Sequence, residues 1–262
     1  MEPPFRLVCQ KLLRLFPVSV ETADVWELTE RPHYFAGVHQ AARQARAEGL
    51  ERIVAVELGV AGGKGLLALE GCASRISAAT GVAIDVVGFD SGSGLPRLCG
   101  DYRDHPDQWR AADYPMDVDA LRARLQRTTQ LVLGDVEQTI PDFVAAQTHP
   151  LGFVAFDLDL YSSTKSALRL FTLPNRRVLR RTFLYFDDIE YRWNHRFAGE
   201  LLAIEEFNSE SSPIRIDIWR GLGRDRPFPE RPWLRKMYIA HDLEAISATS
   251  LDRDARTRTK TL

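Results

Sequence analysis

Between residues 53 and 187 of this 262-residue chain, short apolar runs alternate with helical segments, and no other feature restricts the fold as much. The runs are 53–57 (IVAVE), 84–90 (IDVVGFD), 131–133, 152–157 (GFVAFD) and 182–187 (TFLYFD), with helical patterning over 63–79, 118–127, 138–147 and 162–171 between them. Parallel strands need a crossover connection, and the helical segments supply it, so the pattern predicts a doubly wound α/β sheet with helices on both faces. Past Asp188 the rhythm changes to a helix over 197–208 and two strand-like runs, 214–219 and 236–241. The loop between them, 224–229, is too short for a helical crossover, and the last two strands are expected to pair antiparallel.

Upstream, residues 1–48 read as a helical segment ahead of the main domain, 49–243. Phe5, Val8, Leu12, Leu15 and Phe16 recur at helical spacing, with Arg6, Lys11 and Arg14 between them, until Pro17 stops the pattern. A membrane-surface helix needs a broad cationic face, so docking on the core or on a partner subunit, as in a homodimer, is the expectation. A second helix covers 33–48 and ends at Gly49, which can take the left-handed cap conformation. The tail 244–262, polar and basic from Ser247 on, is expected to be disordered.

Composition removes several function classes. Lys and Arg total 34 against 36 Asp and Glu, a formal charge of −2, so no global basic field points to nucleic acid. No uncharged apolar run approaches the roughly 18–20 residues of a membrane span, and the start is not that of a signal peptide, which predicts no membrane partner. Cys9, Cys72 and Cys99 are odd in number and widely spaced, fitting neither a disulfide framework nor a cysteine zinc site. The expected location is the reducing cytoplasm.

In an open parallel sheet, ligands bind outside the carboxyl ends of the strands, so the residues finishing each strand carry the chemistry. The first strand ends in ELGVAGGKG, where Gly59, Gly62 and Gly63 permit a tight turn and a close ligand approach. Gly63, Gly65 and Ala68 match the dinucleotide spacing but start six residues beyond Glu57, late for a strand-to-helix turn. An acid followed by a glycine turn suits S-adenosylmethionine better, because that ligand carries an ammonium and a sulfonium and no phosphate. Asp90 is placed to bond both ribose hydroxyls, with an ordinary turn acid as the alternative. Asp135, in LGDV, could border an adenine ring lying on Gly134 or could simply cap the next helix. Asp157 and Asp159 end the fourth strand and Asp187 and Asp188 the fifth; if those strands are neighbours, their carboxylates converge, and a hard divalent cation such as Mg²⁺ would relieve the repulsion.

The ordered set ELGVAGG, GFDSGSGLP, LGDVEQT, FDLDLYSSTKSAL and FLYFDDIE resembles the class I S-adenosylmethionine-dependent methyltransferases, most closely the macrocin O-methyltransferase family, over about residues 33–243. The resemblance implies a Rossmann-like seven-stranded sheet, mostly parallel with an antiparallel last strand. It also implies that Glu57, Gly59, Gly62 and Gly63 line the methionine part of the cofactor, with Ala61 standing where a middle glycine is commonest. Asp90 would hold the ribose, and Asp157, Asp187 and Asp188 match the family's Mg²⁺ positions. Two further departures are Ser91-Gly92-Ser93-Gly94, in place of bulky aromatic and acidic residues, and the arginine run 175–181, in place of a Gly-Gly turn.

The reaction expected is transfer of a methyl group to a hydroxyl of a small molecule such as a sugar or natural product, with Asp157 or Asp159 as general base. His105 in the long loop could swing over the site, with a solvent-exposed loop histidine as the blander alternative. Tyr161 and Trp193 could line the acceptor pocket, or both could be core packing. Two rivals stay open: an NAD-dependent oxidoreductase, which shares the strands, glycines and Asp90, and a non-catalytic binding protein on the same fold.

Overall fold

A computed structural model describes residues 4–98, 100–190, 193–210 and 212–249. Seven strands form one sheet: β1 (Arg52–Leu58), β2 (Ala83–Asp90), β3 (Gln130–Leu133), β4 (Leu151–Phe156), β5 (Val178–Phe186), β6 (Ile214–Ile218) and β7 (Met237–Asp242). Their order is β3-β2-β1-β4-β5-β7-β6. The first five are parallel, whereas β7 runs antiparallel to both β5 and β6, as expected.

Strand periodicity divides β1 between two cores. Ile53 and Ala55 pack with α3 (Pro32–Ala47) and α4 (Lys64–Thr80) on one face, and Val54, Val56 and Leu58 with the opposite face, where α6 (Val136–Ala146), α7 (Tyr161–Ala167) and α8 (Gly199–Ser209) lie. The 33–48 helix is therefore one of the sheet's covering helices, and its Tyr34, Phe35 and Val38 are buried in the core. The arginine run enters β5 at the amino-terminal edge, where Arg180 pairs with Glu48 at 3.2 Å.

The remaining elements differ from the expected pattern for local reasons. Helix α5 (Val118–Arg122) stops early because the chain folds back on α4, where Glu70 accepts the Gln126 N–H at 2.8 Å. Helix α6 starts early because the Asp135 side chain accepts the Glu137 N–H at 2.8 Å. The short helices α2 (Val20–Val25) and α9 (Leu243–Ser247) carry too few residues for a periodic pattern. Helix α1 (Pro4–Leu13) is present, but its apolar stripe does not dock on the core: Phe5, Val8, Leu12, Leu15 and Phe16 are all exposed. The expected tail lies outside the described residues from position 250 on, as does Cys99; Cys9 is exposed and Cys72 buried. Among the described residues no helix is long and apolar enough to cross a membrane.

Candidate active site

Each central strand hands its ladder one residue onward, which brings the strand-end residues to a common rim. Gly59 N–H donates to the backbone carbonyl of Phe89, Asp157 N–H to that of Leu58, Asp187 N–H to that of Phe156 and Gly134 N–H to that of Asp90, each at 2.9 Å. Only glycine fits at position 59: its φ is 85°, and a Cβ there would stand 1.8 Å from the Asp157 carbonyl oxygen. Beyond this rim opens a cavity of about 690 Å³. Gly59, Ala61, Asp90, Asp135, Asp157, Asp159, Asp187 and Asp188 line it, so the sheet gathers eight of the residues singled out from sequence at one mouth.

Glu57, Gly62 and Gly63 are not among the lining residues. Glu57 lies behind the glycine loop, 1% exposed, with Oε1 accepting the Tyr34 hydroxyl at 2.6 Å and Oε2 without a partner among the described residues. Gly65 stands over it, since a Cβ there would meet Oε1 at 1.7 Å. Burial pushes the Glu57 carboxyl up to about 8, against the pull of the Tyr34 hydrogen bond and the Arg31 charge.

Asp90 ties two loops together. One oxygen accepts the backbone N–H groups of Val60 at 2.9 Å and Ala61 at 2.8 Å, and the other accepts that of Gly92 at 2.6 Å. A carboxylate offers about four lone-pair sites, so three are engaged and about one is left for a ligand hydroxyl. Ala61 takes the left-handed φ of 44° that glycine would adopt without strain, so the departure at this position is carried in the backbone.

The acids on the other side of the mouth have a different environment. Burial, followed by the charges of Asp187 and Asp188, pushes Asp157 up to about 7. Asp159, held at a left-handed φ of 61°, is raised by burial and by Asp157; its N–H donates to Asp188 Oδ2 at 3.2 Å. Asp188 is raised by burial and by Asp159, and its N–H donates at 3.0 Å to the buried Glu200. For Asp187 burial is outweighed by the Tyr185 hydroxyl, 2.5 Å from Oδ1, and by Lys236, whose Nζ lies 3.1 Å from Oδ1 and also donates to the Asp187 carbonyl; its pKa falls below the usual range.

This engagement bears on the metal expectation. Asp157, Asp187 and Asp188 share the cavity, and their hard oxygens are the right donor type for Mg²⁺. As the side chains stand, however, Asp187 is turned to Tyr185 and Lys236, and among the described residues no group of three or more His, Cys, Asp and Glu side chains is arranged to hold a metal ion.

No protein-family model matches the chain, and no curated protein matches it. Among solved structures it is similar to the calicheamicin methyltransferase CalS11, at 19% identity over 90% of each chain with a TM-score of 0.54. The apo structure of CalS11, described as a TDP-rhamnose 3'-O-methyltransferase of calicheamicin biosynthesis, aligns at 20% identity over 90% of this chain and 92% of that one, with a TM-score of 0.49. An O-methyltransferase from Bacillus cereus in complex with SAH aligns at 13% identity, over 82% and 81% of the two chains, with a TM-score of 0.39. The chain has the class I methyltransferase fold.

Within this methyltransferase fold, several residues bear on the site that the motifs did not indicate. Leu95, Pro96, Trp109 and Tyr114 line the cavity from the long loop after β2. That loop is pinned to α7, because Asp104 accepts the Ser162 N–H at 2.8 Å and the Ser162 hydroxyl at 2.9 Å. His105 is not a solvent-exposed loop residue: it is 4% exposed, has a φ of 50°, and sits with its ring centroid 5.2 Å from that of His195, away from the cavity lining. Tyr161 is buried, with its hydroxyl donating to Glu206 at 2.7 Å, and Trp193 is exposed; neither lines the cavity. Lys236 precedes β7, and only the antiparallel pairing of Met237 with Tyr185 brings it to the end of β5.

Proposed function

We propose that this protein is an S-adenosylmethionine-dependent O-methyltransferase acting on a hydroxyl of a small molecule such as a sugar or natural product. The observation that carries the reading is the charge of the cavity: among the described residues, seven aspartates and a glutamate line it against one lysine. A cationic ammonium and sulfonium suit such a lining, whereas the pyrophosphate of a dinucleotide would face carboxylates, which disfavours the oxidoreductase reading. Gly59 and Ala61 provide the backbone surface for the methionine part, Asp90 a site for a ribose hydroxyl, and Asp135 with Gly134 the border for the adenine. Glu57, with Gly62 and Gly63 in the adjacent loop, supports that surface from behind.

When bound, S-adenosylmethionine supplies an electrophilic methyl group, taken by the acceptor oxygen as the carbon–sulfur bond breaks and its electron pair passes to sulfur. The chain's part is to align the acceptor and remove its proton. Asp157 is the general base, with Asp159 as second candidate: a carboxyl held near 7 by burial and neighbouring charge accepts a proton from a hydroxyl better than an ordinary one does. Asp157, Asp187 and Asp188 are the residues that would hold Mg²⁺, and binding it would first require drawing Asp187 away from Lys236. The expected partners are the small-molecule acceptor and a second copy of the chain, in the cytoplasm, with no nucleic acid.

Isothermal titration with S-adenosylmethionine and with NADH, each with and without Mg²⁺, tests the reading. Micromolar binding of S-adenosylmethionine alone supports it. Binding of NADH in its place, or of neither ligand, overturns it in favour of the oxidoreductase or of a non-catalytic protein.

A further inference from the structure

Helix α1 is attached to the body by its polar side. Arg6 donates to the Pro227 carbonyl at 2.6 Å, Gln10 to those of Trp26 and Glu27 at 2.8 and 3.2 Å, and Arg14 to that of Glu27 at 3.3 Å. Arg6 and Gln10 are four apart on α1, and Arg14, whose N–H donates to the Gln10 carbonyl at 3.3 Å, continues their stripe just past the helix end. The platform beneath them is itself polar: buried Asp24 accepts from Arg226 at 2.5 Å and pairs with His39 at 2.8 Å, and Glu27 pairs with Arg231 at 3.1 Å. On the opposite side Phe5, Val8, Leu12 and Leu15, with Phe16 beside them, are 52–75% exposed.

We infer that this outward stripe is the contact through which two copies of the chain pair about a twofold axis. Along α1 the spacing of Phe5, Val8 and Leu12 is three and four, that of a seam packing against another helix of the same pattern, and Leu15 and Phe16 extend the apolar surface in the turn beyond Leu13. A second copy presents that pattern, and an isologous contact needs no further partner. Covered in both copies, the five side chains remove on the order of 1,000 Å² from water, the level a specific interface has to clear. A membrane surface fits less well, because an interfacial helix turns its cationic face to water, and here Arg6 and Arg14 are spent on carbonyls of the body. The inference deepens the homodimer reading above and is independent of the methyl-transfer chemistry.

Sedimentation velocity of the full chain over a micromolar concentration series tests it, using a Val8→Glu/Leu12→Glu double variant and Leu243→Glu, an exposed apolar residue elsewhere, as control. The expected result is a dimer for the wild type and the control and a monomer for the double variant, its dissociation constant raised by about 100-fold or more, with an unchanged circular dichroism spectrum. A double variant that stays dimeric overturns the assigned surface and leaves the homodimer reading standing. A monomeric wild type overturns both, and cosedimentation of that monomer with anionic vesicles, lost in the double variant, would assign the stripe to a membrane.

Discussion

The two sides of the cavity treat their carboxylates in opposite ways. On the β1–β2 side, Asp90 is cradled by three backbone N–H groups and Asp135 by one, so the acids hold loops in shape. On the β4–β5 side, burial and neighbouring negative charge dominate Asp157, Asp159 and Asp188, raising all three. Backbone donors hold a carboxylate in position, whereas burial among other acids leaves it ready to take a proton. Under the proposed function the β1–β2 side would supply geometry for the cofactor and the β4–β5 side, Asp187 apart, proton transfer from the acceptor.

The contrast breaks most visibly at Asp157. Asp157→Asn keeps the shape and removes the proton acceptor, so methyl transfer is expected to fall by about 10²–10⁴-fold while the affinity for S-adenosylmethionine changes little. In the wild type the rate should rise with pH through about 7, where Asp157 loses its proton. A single-turnover pH series checks both, and a flat profile would move the base elsewhere. The next largest effect is at Asp90, where Asp90→Ala leaves the N–H groups of Val60, Ala61 and Gly92 without their acceptor. Affinity for S-adenosylmethionine should drop by about 100-fold, roughly 2.7 kcal/mol, measured by calorimetry.

Glu57 crosses the comparison, since it lies on the glycine side yet is raised like the acids opposite. Its folded pKa of about 8 stands above the ordinary 4.5, so the folded state binds the proton more tightly than the unfolded state does. That stability is complete below about 4.5 and is lost as pH rises towards 8. Glu57→Gln cannot ionise, and its stability relative to wild type should therefore improve between pH 5 and 8, by on the order of 3 kcal/mol. Urea denaturation at the two pH values measures it; an equal difference at both would show that the carboxyl is already charged in the folded protein.

Much of this site was legible because strand ends are a topological consequence: once five strand–helix pairs are read, Asp90, Asp135, Asp157 and Asp187 must reach one edge. What was hidden depends on register and facing. Lys236 meets Asp187 only because β7 returns antiparallel beside β5, and no local pattern near Lys236 encodes that. Glu57 and Gly59 sit two apart on one run, but the chain turns at Gly59, leaving Glu57 beneath Gly65 and off the cavity. The stripe of α1 was visible, yet periodicity gives the angle of an apolar face and not what covers it. In this chain the polar face found the body first, through carbonyls that no sequence pattern announces.

The smallest effect is the one that sharpens the contrast between Asp90 and Asp135 on the β1–β2 side. Asp135 had two readings, a border for adenine and a helix cap, and the structure realises the cap while also placing the residue on the cavity. Removing an N-cap carboxylate costs about 1 kcal/mol of stability, because one N–H at the start of α6 loses its partner. Asp135→Ala should therefore lower the unfolding free energy by about that much and shift S-adenosylmethionine affinity by no more than a few-fold. If calorimetry instead shows a loss approaching that of Asp90→Ala with the unfolding midpoint unchanged, Asp135 contacts the ligand directly. The adenine edge would then be held by the side chain rather than by the Gly134 backbone, and the two acids of the cofactor side would share one role.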